Sequence, residues 1–175
     1  MIFAFYGVRA VMSSYIFQYN PKWADWYIEE SDQIRKTILI EINLYHIGST
    51  AVPNMHAKEC IDILGEINDY DEGKNIIKPL ESLGYEYRGE YEIEARHYFS
   101  KYKNRKVHLH VFPKGHREID KHLHFVDVMS KNPELVEEFV KIKKELFELY
   151  PQDRSGYQEE KKFFYEKVAK IEFSP

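Results

Sequence analysis

The feature that most constrains the fold is an apolar run at residues 42–47 that stops at Gly48-Ser49-Thr50 and precedes a second apolar run carrying one acid, Asp62. Short apolar runs bounded by glycine and serine are typical of buried β-strands. A strand that ends in Gly-Ser leaves backbone N–H groups and hydroxyls free at its tip, where they can bind phosphate oxygens. The next strand would place Asp62 beside that tip, where a carboxylate can hold a divalent cation. The alternative interpretation is an ordinary turn beside a capping carboxylate.

The remaining apolar patterns predict both strands and helices. We predict strands at 42–47, 60–67, 85–88, 96–102 and 106–112, and helices at about 20–40, 71–83, 116–130, 133–149 and 155–171. A short turn between the last two strands predicts that they form a hairpin, and Pro79 is expected to kink or split the second helix. Helix caps are expected at Asn20, Asp71, Asn132 and Ser155.

These elements predict an α/β (α+β) domain over residues 15–175, with a mixed β-sheet flanked by helices and a helical C-terminal third. Residues 1–14 are interpreted as an N-terminal extension. The fourth helix carries an apolar stripe, which indicates a face buried in the core. The stripe consists of Leu135, Phe139, Ile142, Leu146 and Leu149.

Composition excludes several classes of function. The chain of 175 residues has a formal net charge of −4 with acids and bases both abundant, so a broad surface for long nucleic acid is not indicated. No apolar run approaches the roughly 20 residues that a membrane helix needs. The single cysteine, Cys60, can form no internal disulfide, which fits a reducing cytoplasm. Its place in an apolar run favours a buried small hydrophobic residue.

One family pattern runs through nearly the whole chain, from about Tyr15 to Ile171. The string HIGSTAVP at 46–53, followed by Ala57-Lys58 and by the residues 61–64, resembles the GrpB family, which belongs to the DNA polymerase beta-like nucleotidyltransferase superfamily. The resemblance implies a nucleotidyltransferase-like fold. Further matches follow in the family's order at 83–90, Arg96, 98–99, 108–111, 122–125, Tyr157, Lys161 and Phe164.

The resemblance also implies a site, with one departure from the superfamily's pattern. Superfamily members use two acids placed two residues apart and a third acid on a neighbouring strand, so that two cations align the nucleophile and the leaving group. Here Asp62 is present, but Leu64 stands at the position of the second acid. Glu66, the next acid on that face, would lie about 13 Å from Asp62 along the strand. Two-metal phosphoryl transfer therefore lacks one of its ligands.

Two histidines offer a replacement for that acid. His108 and His110 are two residues apart on a predicted strand, so they share a face, which the implied fold places near Asp62. Two imidazoles and a carboxylate could hold one divalent metal such as Zn, Mn or Fe, and Mg is a further candidate beside phosphates. The alternatives are that both histidines contact a phosphate or nucleotide, or that one is packed in the core. The string 108–112 also resembles the histidine-triad hydrolases, but Phe112 stands where their third histidine would be.

Three basic residues complete the predicted site. Lys58, Arg96 and Lys161 stand where the GrpB pattern carries a base, so the resemblance implies that they neutralise phosphates. The alternative for each is a solvated surface charge. His46 is expected to brace the loop through a hydrogen bond. The predicted phosphate-binding residues are Gly48, Ser49, Thr50, Lys58, Arg96 and Lys161, the metal ligands Asp62, His108 and His110, and the catalytic residues Asp62 and Ser49.

Two functions remain open from the sequence. The first is metal-dependent transfer of a nucleotidyl group from a nucleoside triphosphate to a small acceptor. The second is a non-catalytic module that binds a nucleotide or another small phosphorylated metabolite. GrpB-like domains also occur fused to dephospho-coenzyme A kinase, so the resemblance permits a role near coenzyme A metabolism, although the chain has no Walker A sequence of its own. The sequence leaves the oligomeric state open.

Overall fold

The described part of the chain folds around a five-stranded mixed sheet. The computed structural model describes residues 16–151 and 153–172, and the expected extension at 1–14 lies outside the described residues. The strands are β1 (Asn43–Ile47), β2 (Cys60–Ile67), β3 (Glu86–Tyr87), β4 (His97–Lys101) and β5 (Lys106–Pro113). Their order is β1-β2-β5-β4-β3, with β2 and β5 parallel and the other neighbours antiparallel. The predicted mixed sheet and hairpin are confirmed.

Helices flank the sheet and dominate the C-terminal third, as predicted. They are α1 (Lys22–Thr37), α2 (Ile77–Ser82), α3 (Arg117–Lys131), α4 (Pro133–Leu149) and α5 (Arg154–Ala169). Two short 3-10 segments, Ser49–Ala51 and Asp71–Ile76, precede β2 and α2 respectively. Within the described ranges, no helix combines the length and apolar character needed to cross a membrane.

The second predicted helix is split into two pieces. A 3-10 segment precedes α2, and Pro79 lies in the first turn of α2, where the N–H that proline lacks would have no helical partner. The prediction that Asp71 caps this region is wrong. The carboxylate of Asp69 accepts the N–H of Glu72 at 3.0 Å instead, because an aspartate satisfies the N–H three residues further on.

The caps of the last two helices also differ from the prediction. Asn132 precedes α4, but its side chain donates to the carbonyl of Val128 at 2.7 Å and caps the end of α3 rather than the start of α4. The N-cap of α5 is Asp153, which accepts the N–H of Gly156 at 2.9 Å, and not Ser155. A carboxylate is the stronger acceptor at this position because it is charged.

Apolar clusters lie on both faces of the sheet. The larger one packs α1 and α2 against the sheet and includes Ile34, Ile63, Leu80 and Leu109. The opposite face carries a smaller cluster formed by Ile47, Leu64, Phe112 and Ile119. The C-terminal helices pack on each other around a third cluster that includes Met129, Phe139 and Phe164.

The buried residues of α4 are Val136, Phe139, Lys143 and Leu146, and this set differs from the predicted stripe. Leu149 is 71% exposed because it is the last residue of the helix. Lys143 is buried instead. Lys143 follows Phe139 by four residues and precedes Leu146 by three, so helical geometry places a cation on the apolar face.

A second buried cation lies on the opposite side of the sheet, between α1 and β4. Lys101 donates to the carboxylate of Glu30, and the hydroxyl of Tyr85 donates to the same carboxylate at 2.8 Å. The Lys101 ammonium also lies 4.9 Å from the centre of the Tyr85 ring. This cation is therefore compensated by groups within the fold.

Candidate phosphate and metal site

The tip of β1 meets Asp62 as the sequence predicts. Ile47 pairs with Asp62 across the β1–β2 ladder, and Gly48 follows with φ of 73°. A Cβ at Gly48 would lie 2.8 Å from Oδ2 of Asp62, which is closer than van der Waals contact permits. Glycine is needed here both for its positive φ and for this close approach.

His46 braces the tip, also as predicted. Its Nε2 lies 3.0 Å from Oγ1 of Thr50, and that hydroxyl donates to the carbonyl of Cys60 at 3.3 Å. Since the hydroxyl proton is used by Cys60, the imidazole N–H donates to Thr50. Burial lowers the pKa of His46 to about 4, so the ring is neutral near pH 7. The stacked ring of Tyr27, with its centre 4.8 Å away, fixes its orientation.

A cavity of about 150 Å³ opens beside the tip. Most of the predicted phosphate-binding residues line this cavity, together with Asp62 and one lysine that was not predicted. They are Gly48, Ser49, Thr50, Lys58 and Lys161, and the additional lysine is Lys143. We call this the lysine cavity. Helix α5 closes one side of it with Tyr157 and Tyr165.

Lys143 is the residue of the lysine cavity that sequence reasoning missed. It is only 4% exposed, and its Nζ donates to the carbonyl of His56 and to Oγ of Ser49, the latter at 3.5 Å. Among the described residues no carboxylate forms an ion pair with it. Burial, followed by the charge of Lys161, lowers its pKa to about 7. A lysine in the apolar stripe of α4 was the signal that could have revealed it.

The other two lysines lie over aromatic rings of α5. The Nζ atoms of Lys58 and Lys161 are 5.8 Å and 5.5 Å from the centre of the Tyr157 ring, and Lys161 is also 5.5 Å from that of Tyr165. Burial and then the neighbouring Tyr165 raise the pKa of Tyr157 to about 12, so the ring is an uncharged platform. This side of the lysine cavity therefore combines the ammonium groups of two lysines with the rings of two tyrosines.

Asp62 and His108 are register partners on the parallel strands β2 and β5, and their side chains meet on one face. Nδ1 of His108 lies 3.1 Å from Oδ1 of Asp62 and 3.5 Å from Sγ of Cys60, and that Sγ is 3.9 Å from Oδ1. Burial favours the neutral acid, but the hydrogen bond and charge of His108 outweigh it and hold the pKa of Asp62 below its ordinary value. Burial, then the charge of Asp62, raises the pKa of the Cys60 thiol.

These three side chains have the spacing of a metal site. Their ligand atoms all lie within 4.8 Å of one another. Ligands of a tetrahedral zinc ion lie about 3.3–3.8 Å apart, given bonds of about 2.0–2.3 Å, and the observed separations run from just below to just above this range. Cys60 thus stands in the group with Asp62 and His108, whereas the sequence placed His110 there. A thiol, an imidazole and a carboxylate suit zinc better than magnesium, which prefers oxygen ligands.

Arg96 and His110 lie on the other side of Asp62, toward β4, and neither lines the lysine cavity. Nη1 of Arg96 is 3.2 Å from Nδ1 of His110. The guanidinium is buried and also donates to the carbonyls of Glu90 and Tyr91. Burial lowers the pKa of His110 to about 3, so this ring is neutral. The structure therefore separates Arg96 from the lysines with which the sequence grouped it.

Leu64 has no access to the site. It is fully buried and packs in the cluster of Ile47, Phe112 and Ile119. Glu66, further along the strand, accepts the hydroxyl of Tyr45 at 3.3 Å. The described part of β2 thus brings a single carboxylate, Asp62, to the cavity, as the sequence indicates.

The mixed sheet and its flanking helices form a nucleotidyltransferase-like fold. Cid1 poly(U) polymerase bound to MgATP superposes with a TM-score of 0.57 at 12% identity, covering 83% of this chain and 50% of that one. At this identity the likeness shows the fold alone. The crystal structure of the conserved protein GrpB from Enterococcus faecalis gives a TM-score of 0.76 at 27% identity, covering 89% of this chain and 99% of that one.

Sequence comparison defines the family. The family described as GrpB protein matches residues 14–170, and the chain belongs to this family. The UPF0157 protein YqkA of Bacillus subtilis is 34% identical over 158 residues, which cover 89% of this chain and 45% of YqkA. The chain therefore spans less than half the length of that relative.

Proposed function

We propose that this protein binds a nucleoside triphosphate, or a related small phosphorylated metabolite, in the lysine cavity. The observation that carries the proposal is Lys143, a buried cation that donates to the strand-tip hydroxyl of Ser49 and has no carboxylate partner in the described residues. Burying an ammonium without an anion is costly, and a bound phosphate would supply the missing charge. Lys58 and Lys161 add positive charge to the same wall.

The size of the cavity indicates which part of the ligand it would hold. Its volume of about 150 Å³ is well below the roughly 300–1,000 Å³ of sites that enclose a whole small molecule. It suits the phosphate groups, with the remainder of the ligand lying outside. The MgATP-bound polymerase that shares the fold supports a nucleotide as the first ligand to test.

Calorimetric titration of the purified protein with ATP, GTP, CTP, UTP, dephospho-coenzyme A and inorganic triphosphate tests this proposal. Lys143→Met should weaken binding of the preferred ligand by about tenfold or more, since a charge-assisted contact is lost. Lys144→Met, which changes an exposed lysine of the same helix, should leave the affinity within about twofold. Equal affinities in the wild type and Lys143→Met would overturn the proposal, as would the absence of binding by every one of these ligands.

A second candidate function is nucleotidyl transfer assisted by one metal ion. It is favoured by Asp62, which lines the lysine cavity and contacts His108, so that a cation held by Cys60, Asp62 and His108 would lie next to the phosphates. Such an ion would act as a Lewis acid toward a phosphoryl oxygen. The lysines would bind the leaving phosphates, and Ser49 would orient them. Leu64, in place of a second acid, favours one ion rather than two.

Pyrophosphate release from labelled nucleotides tests this candidate, with Zn, Mn and Mg compared. Release that Asp62→Ala abolishes would support transfer, whereas binding without release would leave the non-catalytic module. Zinc affinity, measured by competition with a chromophoric chelator, should fall about tenfold or more in Cys60→Ser and His108→Ala. It should stay within about twofold in His110→Ala, and an equal loss in that variant would restore His110 to the ligand set.

We further infer a single domain over residues 15–175 and a cytoplasmic location. The first is supported by the family match over residues 14–170. The second is supported by one unpaired cysteine, Cys60, which fits a reducing compartment. The net charge of −4 supports a small ligand rather than a long nucleic acid.

A further inference from the structure

The two histidines of β5 share a face but have different hydrogen-bond partners. Nδ1 of His108 lies 3.1 Å from Oδ1 of Asp62. An ionised carboxylate only accepts hydrogen bonds, so Nδ1 of His108 carries the proton. Ligation of a metal ion by Nδ1 would require the loss of that proton.

His110 has the opposite arrangement. Its Nδ1 lies 3.2 Å from Nη1 of Arg96. A guanidinium only donates, so Nδ1 of His110 must accept, and the proton of the neutral ring is on Nε2. His110 is therefore a hydrogen-bond donor, and its Nε2 has no lone pair to offer a metal.

Arg96 is a fixed cation that is not neutralised within the described structure. It is 5% exposed, and its contacts are the carbonyls of Glu90 and Tyr91, the ring of Tyr98 at 4.9 Å from the ring centre, and His110. No carboxylate among the described residues forms an ion pair with it. The hydrogen-bond partners of the guanidinium are all neutral, and the carboxylates of Glu118 and Glu92 act on it without forming an ion pair. A guanidinium held in this way has the chemistry of an oxyanion site.

Helix α3 supplies a further imidazole to the same place. The ring of His122 has its centre 5.9 Å from that of His110. Glu118, one turn earlier in α3, forms an ion pair with Lys121 at 2.5 Å, which offsets its negative charge. The region is thus lined by Arg96, two neutral imidazoles and the ring of Tyr98, whose centre is 5.0 Å from that of His110.

We propose that Arg96, His110 and His122 form a second subsite, which binds the oxyanion group of a second small molecule on the β5 side of Asp62. The oxyanion is a carboxylate or a phosphate, the two groups that accept from a guanidinium and an imidazole N–H together. His108 and His110 are about 7 Å apart along the strand, so a molecule anchored at His110 could present a hydroxyl near Asp62. This proposal rests on the second candidate function, nucleotidyl transfer, because such a molecule would be the acceptor of the group bound in the lysine cavity.

The proton positions can be tested without any ligand. Long-range ¹H–¹⁵N correlation spectra of the imidazoles in the wild-type protein distinguish the two neutral tautomers. The expected result is Nδ1–H for His108 and Nε2–H for His110. A proton on Nδ1 of His110 would overturn the proposal, because that nitrogen must accept from Arg96.

Binding is tested by titrating the wild-type protein with orthophosphate and, separately, with malonate. The ring signals of His110 and His122 should shift saturably with at least one of these probes, and the more effective probe identifies the oxyanion as phosphate or carboxylate. His110→Phe keeps a ring but removes the donor, so it should weaken that response about tenfold. His124→Phe, which changes another histidine of α3, should retain it. No response at His110 with either probe would overturn the proposal.

The lysine cavity is monitored independently in the same spectra. The backbone amides of Gly48 and Ser49 report phosphate binding there. A response at Ser49 without one at His110 would overturn the second subsite and leave the proposed function in place. A response at His110 without one at Ser49 would support the second subsite, and the nucleotide titrations then decide the proposed function separately.

Discussion

Two buried lysines lie in different regions of this protein and differ in what surrounds them. Lys101, between α1 and β4, is 8% exposed and donates to the carboxylate of Glu30. Lys143, on α4, is 4% exposed and contacts a carbonyl, the hydroxyl of Ser49 and the face of Phe139, whose centre is 4.7 Å away. The first charge is balanced inside the fold. The second has no ion-pair partner among the described residues, and the comparison shows that the two buried cations are stabilised in different ways.

The largest expected effect is at the balanced pair. Lys101→Met leaves the Glu30 carboxylate buried without its cation, so the free energy of unfolding should fall by about 3–5 kcal/mol. Urea unfolding at pH 7 measures this change. The double variant Lys101→Met, Glu30→Leu should recover most of the loss, since a buried pair replaced by apolar residues is often nearly neutral. A decrease of less than about 1 kcal/mol in the free energy of unfolding of Lys101→Met would show that Lys101 and Lys143 do not differ in this way.

At Lys143 the effect should have the opposite sign and depend on pH. Burial lowers its pKa to about 7 from the ordinary 10.5, so between these values the unfolded chain binds more protons than the folded one. Stability therefore rises with pH across this window, by at most about 1.4 kcal/mol per pH unit from this group. Lys143→Met should be more stable than the wild type at pH 7, and the difference should shrink toward pH 9.

Urea unfolding at pH 7, 8 and 9 measures that difference. Lys144→Met serves as the control, and its difference from the wild type should be flat with pH. A constant difference for Lys143→Met would show that the ammonium is already compensated, as Lys101 is.

Substitution of Gly48 tests how much stability depends on the close approach of the end of β1 to Asp62. Gly48→Ala should cost about 2–3 kcal/mol, because it combines a positive φ with a Cβ placed 2.8 Å from Oδ2 of Asp62. Gly89→Ala is the matched control, since Gly89 has φ of 66° but nothing within 4 Å of its Cβ. It should cost about 1 kcal/mol. Equal thermal unfolding midpoints for the two variants would show that Asp62 moves away easily.

The smallest effect on stability is expected at the hydrogen bonds that link His46, Thr50 and Cys60 at the end of β1. Thr50→Val removes the hydroxyl that links His46 to the carbonyl of Cys60, and the free energy of unfolding should fall by about 1 kcal/mol. Thr37→Val removes an exposed hydroxyl that donates to the carbonyl of Gln33 at 2.8 Å, and it should change stability by less than about 0.5 kcal/mol. Chemical denaturation distinguishes the stability change of Thr50→Val from that of Thr37→Val. A larger loss at Thr37 would contradict the assignment of a brace to His46.

The features that the sequence predicted correctly are those that depend on the local pattern of residues. The apolar run 60–67 and its turn signals predicted the bounds of β2 as observed, and Pro79 predicted a kink or split in the second helix, which divides between Ile76 and Ile77. Asp62 beside the tip and His108 beside Asp62 followed from the period of the strands and the implied fold. These relations depend on residues adjacent in the chain or paired in the sheet.

What the sequence could not supply depends on packing across the molecule. Lys143 comes near Ser49 only because α4 packs over the strand tip, 94 residues away in the chain. Arg96 was grouped with the lysines because the family pattern gives residue types in order, whereas the strand order β1-β2-β5-β4 places it on the far side of Asp62. The sequence predicts that Cys60 is a core residue, and its side chain is buried, but its sulfur also lies 3.5 Å from Nδ1 of His108.

The parallel pairing of β2 and β5 sets the distance between Asp62 and His108 through backbone hydrogen bonds. A slip of one residue would turn His108 to the opposite face, so the dyad persists as long as the ladder does. The segments that join the strands can therefore change in length and composition without disturbing it. Exchange of these connecting segments between family members should therefore leave the spacing of the dyad unchanged.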